Sequence, residues 1–298
     1  MSASLEAFEA HRNLLFTVAY EMLGSAADAE DVVQETWLRW DDRITRLDEE
    51  EDEVRDPRAY LVRIVTRQAL NRLRTLQRTR ETYVGPWLPE PLLTTPDVAQ
   101  DVELAESVSM AMLLVLDSLN PTERAVFVLR EVFGFEYAEI AASVDKSEPA
   151  VRQVLSRARK HVQARCPRVR AQAAHEAVVE RFLEAAAGGD VQALMDVLAP
   201  DVVMLSDGGG FKQAALRPIF GRDKVMRWLV GVMSKNLGVV SMDIATVNGE
   251  PAVRIWLDGE LDVVAAVRVD GDRVSELYFV RNPEKLTRLS GEGASLSR

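Results

Sequence analysis

The sequence has few of the residues that crosslink a fold or bind metal ions. Among 298 residues there is one cysteine, Cys166, and there are three histidines, His11, His161 and His175. A single cysteine excludes a disulfide within the chain and a structural zinc site made of cysteines, and such scarcity is typical of a reducing compartment. We therefore expect neither a metal site nor a cofactor.

Long hydrophobic runs are also absent. The longest stretch without a charged residue, 107–116, is too short for a transmembrane helix, which needs about 20 residues. No positively charged segment followed by an apolar one opens the chain, as it would in a secretory signal. We expect a cytoplasmic protein that does not bind a membrane.

Charge is unevenly distributed along the chain. The net charge is -11, while the fractions of hydrophobic (47%) and charged (28%) residues are typical of globular domains. Residues 1–54 are acidic, and 63–80 and 146–170 are basic. The net charge argues against a histone-like coat on nucleic acid, whereas the segregation predicts local DNA-facing surfaces and a separate acidic surface for a protein partner. A chain of this length is expected to form two or three domains.

Residues 136–162 (EYAEIAASVDKSEPAVRQVLSRARKHV) contain two helical patterns joined by a short polar turn. In the second pattern, apolar residues recur at helical spacing from Val151 to Val162, with Ser147 as the expected N-cap. Its polar face carries Arg152, Gln153, Ser156, Arg157, Arg159 and Lys160. A basic second helix predicts a DNA-binding helix-turn-helix, and a helical hairpin with a solvated basic face is the alternative.

The first 54 residues predict two helices with an acidic surface. An apolar period over 5–23 stops at Gly24, and a second helix is expected to begin with Asp28 as its N-cap. On this second helix, Asp31 and Glu35 are one turn apart and project together into solvent. They form either a partner surface or an ordinary solvated face.

An arginine-rich helix is predicted next. The acidic run 48–53 is expected to be a surface loop, after which Asp56 as N-cap and Pro57 at the first position begin a helix. From position 63 onward it carries six arginines with no acidic residue between them: Arg63, Arg67, Arg72, Arg74, Arg78 and Arg80. Guanidinium groups that are unpaired in sequence repel one another unless a polyanion neutralises them. An acidic helix followed by this one predicts a module that binds protein on one side and nucleic acid on the other.

Two segments resemble a known family. DAEDVVQETWLRW (28–40) followed by PRAYLVRIVTRQALNRLR (57–74) resembles region 2 of the extracytoplasmic-function (group IV) sigma factors of bacterial RNA polymerase. LNPTERAVFVLREVFGFEYAEIAASVDKSEPAVRQVLSRARKHV (119–162) resembles region 4 of the same family. Both motifs occur in this order with a linker between them. The resemblance implies a protein that directs core RNA polymerase to specific promoters and performs no chemistry itself.

The resemblance also implies roles for residues of region 2. Those that would dock on the clamp of core RNA polymerase are Asp31, Gln34, Glu35 and Trp37. Those that would engage the promoter -10 element and hold its melted strand are Arg63, Arg67, Asn71, Arg74 and Arg78. Tyr60 is a further candidate for holding a base, or a core residue, and the family often has aspartate at the position of Asn71.

In region 4, the basic face of the helix-turn-helix would bind the -35 element of double-stranded promoter DNA. Arg152, Gln153, Ser156 and Arg157 would read base edges in the major groove. Arg159 and Lys160 would hold phosphates. The turn at Asp145 and Lys146 lacks the glycine that the family often has there.

The segment 82–101 (TYVGPWLPEPLLTTPDVAQD) is a proline-rich linker. Its four prolines exclude a continuous helix and predict extended structure. A disordered tether would avoid its large apolar side chains, so we expect it to bind in a groove or to cover the adjoining helical domain. One part resembles the linker motif of a sigma subgroup with a C-terminal SnoaL-like extension, and consists of Trp87, Leu88, Pro89, Glu90 and Pro91.

The last 130 or so residues change from helical to strand patterns. Two helical patterns after His175, and a third over 224–234, are followed by apolar runs that are separated by Asn-Gly at 248–249 and Asp-Gly at 258–259 and 270–271. These dipeptides predict the hairpins of an antiparallel meander. The order resembles the SnoaL-like fold, an α+β cone whose cavity would hold a small apolar or aromatic ligand. Candidates to face that interior are Asp243, Arg254, Trp256 and Tyr278.

A glycine-rich stretch precedes these strands and contains Asp207, Gly208, Gly209, Gly210 and Lys212. Without the spacing of a phosphate loop, a simple turn is the plain interpretation. The subgroup with the SnoaL-like extension carries a similar D-G-G-G motif followed closely by a basic residue, and NPEKL at 282–286 resembles its terminal motif. The resemblance implies that the linker motif and this loop position the C-terminal domain against the sigma modules.

We therefore predict a multidomain chain: two all-α sigma domains, a region 2 helical bundle and a region 4 helix-turn-helix, followed by an α+β SnoaL-like cone with a curved antiparallel sheet. The boundaries are 1–82 for region 2, 83–104 for the linker, 105–167 for region 4 and 168–298 for the SnoaL-like regulatory domain. The leading hypothesis is a sigma factor whose activity is modulated in cis by this last domain.

Two alternatives stay open. The C-terminal domain could be an isomerase- or cyclase-type enzyme that acts on a small molecule, or the whole chain could be a conventional DNA-binding regulator that never binds core polymerase. No histidine falls on a predicted strand of the last domain, and no acid–base pair emerges there, which favours regulation over catalysis.

Overall fold

The computed structural model describes residues 3–50, 54–94, 109–165, 172–234 and 238–289. They form two units. The first unit contains the described residues up to Glu81 and those from Met112 to Arg165. The second contains 82–94, 109–111 and everything described from Gln172 onward. In these ranges, no helix is both long enough and apolar enough to cross a membrane.

Four helices form the first part of the helical unit: α1 (Ala3–Glu9), α2 (Arg12–Leu23), α3 (Ala26–Glu50) and α4 (Pro57–Arg80). They pack around a shared apolar core in which Leu15, Trp40 and Leu61 are buried. The indole N–H of Trp40 donates a hydrogen bond to the carbonyl of Ser4 at 2.8 Å, so this buried polar group is satisfied. Two boundaries agree with the sequence, since Gly24 ends α2 at φ 69° and the carboxylate of Asp56 caps α4.

Two other boundaries differ from the sequence prediction. The apolar period over 5–23 is divided into α1 and α2, and the amide of His11 bonds the carbonyl of Phe8 in a tightened last turn of α1. Asp28 is not the N-cap of α3. The hydroxyl of Ser25 accepts a hydrogen bond from the amide of Asp28 at 3.2 Å and takes that role.

The predicted loop at 48–53 is helical as far as Glu50, because α3 continues through the beginning of the acidic run. That run contains neither glycine nor proline, the residues that most often end a helix. Residues 51–53 lie outside the described part of the chain.

The rest of the helical unit contains α5 (Met110–Asp117), which begins in the other unit, α6 (Pro121–Phe127) with a π-helical turn (Val128–Val132), α7 (Tyr137–Val144) and α8 (Glu148–Arg165). Residues 105–108, the first of the predicted region 4, are outside the described ranges. α7 and α8 pack against each other and against α6 as the predicted helix-turn-helix. The turn needs no glycine, because Asp145 itself adopts the left-handed conformation, at φ 52°. Aspartate tolerates this conformation better than most residues do.

In its described residues, the second unit combines one six-stranded sheet with three helices that precede β3 and a short helix that follows β6. The helices are α9 (Gln172–Gly188), α10 (Val191–Val197) and α11 (Arg222–Met233). The strands are β1 (Leu198–Asp207), β2 (Ile219–Phe220), β3 (Val240–Val247), β4 (Glu250–Leu257), β5 (Glu260–Asp270) and β6 (Arg273–Val280), in the order β2-β1-β6-β5-β4-β3. The short α12 (Pro283–Leu286) and a 3-10 turn (Thr287–Leu289) follow.

The meander of β3 to β6 is antiparallel, as the turn dipeptides predict. The first turn has positive φ at both Asn248 (52°) and Gly249 (75°), which matches the twist of a two-residue hairpin. β1 pairs with β6 in parallel, so the complete sheet is curved and mixed rather than purely antiparallel. This pair joins the first and last strands of the domain. No turn motif in the sequence predicts pairing between strands that are so far apart along the chain.

The core of this unit lies on one face of the sheet, beneath α9, α10 and α11. Val253, Leu277 and Phe279 point into it. Arg254 and Tyr278 alternate with these residues along β4 and β6 and therefore lie on the opposite face. Asp243 pairs with Arg254, and Trp256 follows two residues later on the same face. The expectation that these four residues face the helix-covered interior is wrong.

Candidate nucleic-acid surfaces and linker site

The outer face of α8 carries the six residues that were expected to contact the -35 element. Val151, Leu155 and Ala158 on the inner face have 1% exposure or less. All six predicted residues are exposed: Arg152, Gln153, Ser156, Arg157, Arg159 and Lys160. The structure therefore brings them together on one accessible surface.

The arginines of this face have weak local partners. Arg152 Nη2 lies 3.1 Å from Glu148, Arg159 Nη2 lies 2.7 Å from Glu131, and Arg157 Nε lies 3.9 Å from Glu123. The hydrogen bond to Glu131 raises the pKa of Arg159 above its usual value. These arginine side chains are 53–70% exposed, and ion pairs at such sites contribute only about 0–1 kcal/mol. Phosphate oxygens can replace these carboxylates at low cost.

A second basic stripe runs along α4. Four of its five predicted residues are exposed at intervals of three or four positions: Arg67, Asn71, Arg74 and Arg78. The fifth, Arg63, is half-buried, with its guanidinium 5.0 Å from the ring centre of Tyr60. Arg74 donates to the side chain of Asn71 at 3.2 Å.

Three of the seven arginines of α4 are paired with carboxylates within the protein. Arg72 donates to Asp28 at 2.6 Å and to Asp31 at 3.2 Å, and the first of these bonds is the largest cause of its raised pKa. Arg80 pairs with Asp117, and Arg67 pairs with Asp145. In the sequence no acidic residue lies between these three arginines, but in the folded protein each of them is paired with a carboxylate. Their partners lie 37–78 residues away, so no local pattern could have identified them.

Arg124 is a buried charge that the sequence did not single out. Its side chain is 1% exposed, and its guanidinium donates to the carbonyl of Glu21 and to Asp117, each at 3.1 Å. Burial lowers its pKa to about 10, so it remains protonated at neutral pH. Asp117 thus holds both Arg124 and Arg80 inside the helical unit.

The acidic face of α3 is exposed as expected at Asp31, Gln34 and Glu35. Trp37 is only half-buried, and its ring lies 5.0 Å from that of Phe8. Leu38, which was not predicted, is 61% exposed on the same face. The sequence signal that could have identified Leu38 is an apolar residue one helical turn after Gln34, on the polar face of the helix.

The linker packs against the sheet of the second unit. Residues 88–92 are consecutively buried, with Leu88 at 0% and Glu90 at 4% exposure, and Glu90 lies 3.5 Å from Arg288. Leu93 forms an antiparallel bridge with Val247 at the edge of β3. The linker is therefore held by the burial of residues 88–92 and by this bridge at Leu93.

One buried carboxylate organises this contact. Asp207, at 0% exposure, accepts hydrogen bonds from the hydroxyl of Tyr83 (2.6 Å), the amide of Leu88 (2.8 Å), the ammonium of Lys285 (2.7 Å) and the amide of Gly209 (3.0 Å). Four donors compensate for the removal of this charge from water.

Lys285 completes the arrangement from the other side. Its ammonium also donates to the carbonyl of Leu88 at 2.5 Å and lies 4.3 Å from the ring centre of Trp87. Asn282 donates to the hydroxyl of Tyr83 at 2.9 Å. Burial, and then the bond to Asp207, raises the pKa of Tyr83. We call the set Tyr83, Leu88, Asp207, Asn282 and Lys285 the linker clasp, in which linker, glycine loop and NPEKL motif meet.

The glycine loop has a steric basis. A Cβ at Gly208 would collide with the carbonyl oxygen of Lys212, and a Cβ at Gly209, where φ is 61°, would collide with the side chain of Asn282. Gly210 packs beside the linker residue Val84. The ammonium of Lys212 lies 3.0 Å from the buried Asp262 and so fixes the far end of the loop. The loop is shaped to hold the clasp.

No group of three or more metal-ligating side chains is assembled in the described parts of either unit. The exposed faces of α4 and α8 consist mainly of guanidinium, ammonium and amide groups, which bind anions and base edges.

Comparison with known proteins supports the two-region organisation. The sigma-70 region 2 family matches residues 7–79, and the sigma-70 region 4 family matches residues 109–162. The ECF RNA polymerase sigma factor SigJ of Mycobacterium tuberculosis (strain ATCC 25618 / H37Rv) is 38% identical over 294 residues, which cover 94% of this chain and 92% of the relative. The probable ECF RNA polymerase sigma factor SigI of Mycobacterium tuberculosis is 29% identical over 290 residues, or 96% of each chain.

The crystal structure of Mycobacterium tuberculosis SigJ superposes with a TM-score of 0.75 at 37% identity and covers 95% of this chain and 98% of that one. The likeness therefore includes the terminal α+β unit as well as the helices. Together with the two matched regions, it shows that this chain belongs to the extracytoplasmic-function sigma factors, which direct RNA polymerase to promoters.

Proposed function

We propose that three surfaces of the helical unit divide the work of promoter recognition, and that the linker clasp of the second unit controls this activity in cis. The observation that carries the first part is that one helical unit exposes an acidic face on α3 and two basic faces, on α4 and α8. We place this work on core RNA polymerase in the cytoplasm.

The acidic face of α3 is proposed to dock on core polymerase through Asp31, Gln34, Glu35 and Trp37. Leu38 supports this assignment, because a leucine that is 61% exposed beside carboxylates provides an apolar anchor with a polar rim. Glu35 accepts a hydrogen bond from Gln68 at 2.9 Å, which fixes one carboxylate before the partner arrives.

Charge reversal tests the docking face. Asp31→Lys with Glu35→Lys should abolish co-purification with core enzyme. Each carboxylate that is proposed to attract the polymerase would be replaced by a positive charge that repels the same surface. Glu180→Lys with Glu184→Lys is the matched control, since these exposed residues have the same spacing on α9. Equal binding by both double variants would contradict the assignment.

The exposed stripe of α4 is proposed to hold the melted -10 strand, with Arg63, Arg67, Asn71, Arg74 and Arg78 as contacts. Spacing of three and four residues lets one helical face follow successive phosphates and bases. Arg67→Gln with Arg74→Gln should reduce run-off transcription while binding to core enzyme is unchanged. Full transcription by this variant would exclude the stripe.

The face of α8 is proposed to bind the -35 element. Arg152, Gln153, Ser156 and Arg157 lie nearer the N-terminal half of the helix, the part that usually approaches base edges, and Arg159 and Lys160 follow. Gln153→Ala should change base preference at about one position, at a cost of roughly 1–3 kcal/mol. Selection of binding sites from a randomised -35 library measures this, and an unchanged preference would contradict direct readout.

Control in cis is proposed to work through the linker clasp, with the motif residues Trp87, Leu88, Pro89, Glu90 and Pro91 as the held segment. The loop residues that hold it are Asp207, Gly208, Gly209, Gly210 and Lys212. The linker connects region 2 to region 4, so fixing it to the second unit restricts the separations that the two DNA-binding surfaces can reach. Release of the linker would remove that restriction.

A full-length variant tests this control. Lys285→Met should raise promoter-dependent transcript yield with added core enzyme, because the buried Asp207 loses its ionic partner. Lys224→Met, an exposed lysine on α11, is the control. Removal of residues 168–298 provides a second comparison, and equal yields from all of these proteins would contradict the regulatory role.

The terminal unit is proposed to act through binding rather than catalysis. Two polar residues that were expected to face a cavity, Asp243 and Arg254, are joined to each other by two bonds of 2.8 and 2.7 Å on the face opposite the helix-covered core. Such a pair stabilises the sheet and offers no free base. Turnover of an apolar or aromatic small molecule by the full chain would contradict this assignment.

A further inference from the structure

One edge of the sheet in the second unit is only partly covered. β3 is the last strand of the sheet, and one of its sides is paired with β4. On its other side, the linker covers the C-terminal end. The amide of Thr94 donates to the carbonyl of Thr246 at 2.9 Å, and the amide of Asn248 donates to the carbonyl of Leu92 at the same distance. Among the described residues, no strand continues this cover over 240–244.

The uncovered stretch presents backbone groups that another strand could bind. Thr246 directs its carbonyl away from β4, toward the linker. Backbone groups alternate in direction along a strand, so those of Val240, Met242 and Ile244 also point away from β4. Proteins commonly block such an edge with lysine, proline or a bulge. Residues 238–247 contain neither lysine nor proline, and β3 pairs with β4 in one unbroken register.

The same three residues carry exposed apolar side chains. Val240, Met242 and Ile244 are 42%, 43% and 62% exposed. They lie on the face of the sheet that carries the core, since Ile244 is directly opposite Val253. With Val239, which is 74% exposed, they offer on the order of 300 Å2 of apolar surface, a size that begins to mark an interaction site. Backbone and side chains together therefore favour the addition of a strand.

The linker cannot supply that strand by continuing along β3. In the register set by Thr94 and Thr246, the next residue to donate a backbone hydrogen bond to β3 is residue 96. Residue 96 is proline, which has no N–H, so the linker cannot extend this ladder without a break. The strand that fits 240–244 comes from elsewhere.

A second copy of β3 is complementary to this stretch. In an antiparallel arrangement centred on Met242, this residue faces Met242 of the partner subunit, and Val240 faces Ile244 of the partner subunit. Because all three residues direct their backbone groups outward, each facing pair exchanges two backbone hydrogen bonds. Directly opposite side chains share a face of the sheet, so apolar side chains meet one another along the whole contact.

Charge also permits this pairing. The net charge of -11 makes two copies repel over much of their surfaces. Between 238 and 248, however, the single charged residue is Asp243, and Arg254 neutralises it through two bonds of 2.8 and 2.7 Å. In the arrangement centred on Met242, Asp243 comes opposite Ser241 of the partner subunit, so like charges do not meet.

We propose that β3 is a dimerisation edge, where it pairs with β3 of a second copy and joins the two sheets into one. The partner strand covers 240–244 and ends beside the linker at Thr246, so the new contact continues the one that the linker already makes. It is smaller than the roughly 800 Å2 per partner of a standard interface. The dimer therefore exchanges with the monomer, with a dissociation constant of about micromolar order.

Sedimentation of the full chain over a concentration series, with a reductant present, tests the proposal. The parent protein should pass from monomer to dimer at about micromolar concentrations. Met242→Lys puts two ammonium groups against each other at the centre of the contact and should weaken dimerisation by about tenfold or more. Phe220→Lys is the matched control, because Phe220 is 61% exposed on β2, the opposite edge strand of the same sheet. The melting temperature checks that both variants fold.

Cross-linking tests the register, in a Cys166→Ser background. The Cα atoms of a hydrogen-bonded antiparallel pair are about 5.5 Å apart, within the range of a disulfide. Met242→Cys should therefore give a disulfide-linked dimer on oxidation. Ser241→Cys should not, because residue 241 comes opposite residue 243 of the second copy and is displaced from its own counterpart. Equal yields from the two cysteines would overturn the proposal.

Two further results would contradict a dimer at this edge. One is a monomer at every concentration, and the other is equal dimerisation by Met242→Lys and the control. Hydrogen exchange at the amides of Val240, Met242 and Ile244 should become slower as the concentration rises. Protection that does not depend on concentration would show that the edge is covered within one chain, and would also overturn the proposal.

Discussion

The recognition helix α8 and the linker clasp contain ion pairs of the same length with opposite roles. Arg159 and Lys285 each lie 2.7 Å from a carboxylate oxygen. The side chain of Arg159 is 53% exposed, whereas those of Lys285 and Asp207 are 12% and 0% exposed. An exposed pair is worth about 0–1 kcal/mol, while removing one partner of a buried pair costs about 3–5 kcal/mol. Burial, not distance, separates the charges available to DNA from those that hold the chain together.

The largest effect on stability should come from replacing a lysine of the linker clasp by methionine, compared with the same replacement on the exposed face of α8. Lys285→Met leaves the Asp207 carboxylate buried without its ionic partner and should destabilise the second unit by about 3–5 kcal/mol. Lys160→Met, on the exposed face of α8, should change stability by less than about 0.5 kcal/mol. Urea unfolding measures both, and hydrogen exchange at the amide of Leu88, which donates to Asp207, reports release of the linker. Similar losses from the two variants would break the comparison.

Glu250, a partly buried carboxylate at the beginning of β4, should make the second unit sensitive to pH. Burial raises the pKa of Glu250, at the beginning of β4, to about 7. A carboxyl whose pKa is higher in the folded than in the unfolded state favours folding when protonated. Stability is therefore greatest below about pH 4.5 for this group and falls as the pH rises to about 7, by up to about 3 kcal/mol.

Glu250→Gln should remove this dependence, because glutamine does not ionise. Unfolding curves between pH 5 and pH 7.5 (roughly the window set by these pKa values) measure the difference. Glu260→Gln, at an exposed position of β5, is the control and should keep the slope of the parent protein. A flat profile in the parent would contradict the prediction.

The glycine loop should respond to a single methyl group. Gly209→Ala should cost about 2 kcal/mol, because φ is 61° and the new Cβ would collide with the side chain of Asn282. Gly231→Ala should instead stabilise by about 0.5–1 kcal/mol, because this glycine is inside α11 and a Cβ there meets nothing within 4 Å. Thermal unfolding of the two variants measures the sign, and a loss in both would exclude the steric explanation.

The smallest change in stability should accompany a clear change in DNA binding. Lys160→Met should lower affinity for promoter DNA by a similar factor at every sequence and reduce the salt slope by about 0.9, if its ammonium holds one phosphate. Fluorescence anisotropy at several salt concentrations provides the slope. An unchanged slope would show that this lysine does not contact DNA.

The sequence was most informative where signals are local. Gly24, Asp56 and the Asn248–Gly249 turn each mark the boundary that the structure has, because caps and turns depend on neighbours within a few residues. Asp28 was misjudged because Ser25 competes for the same cap. The apolar period in α8 also predicted the exposed face correctly, because one helical register fixes both sides.

Positions in the sheet were harder to predict. Alternation along β4 shows that Arg254 and Val253 point to opposite faces, but it does not show which face the helices cover. Either face of the sheet was equally compatible with the sequence. The packing of α9, α10 and α11 puts the core on the face opposite Arg254 and Tyr278. The sequence signals also could not reveal the parallel pairing of β1 with β6.

By itself the sequence determined the helices, the hairpins, the basic face of α8 and the family resemblance, since all of these depend on residue order and short spacings. Only the tertiary structure decided which charges are available. It paired Arg72 with Asp28 across 44 residues and Lys285 with Asp207 across 78. The physical reason is that burial and long-range pairing are properties of the packed chain, and they set the energy of a charge more strongly than its neighbours in sequence do.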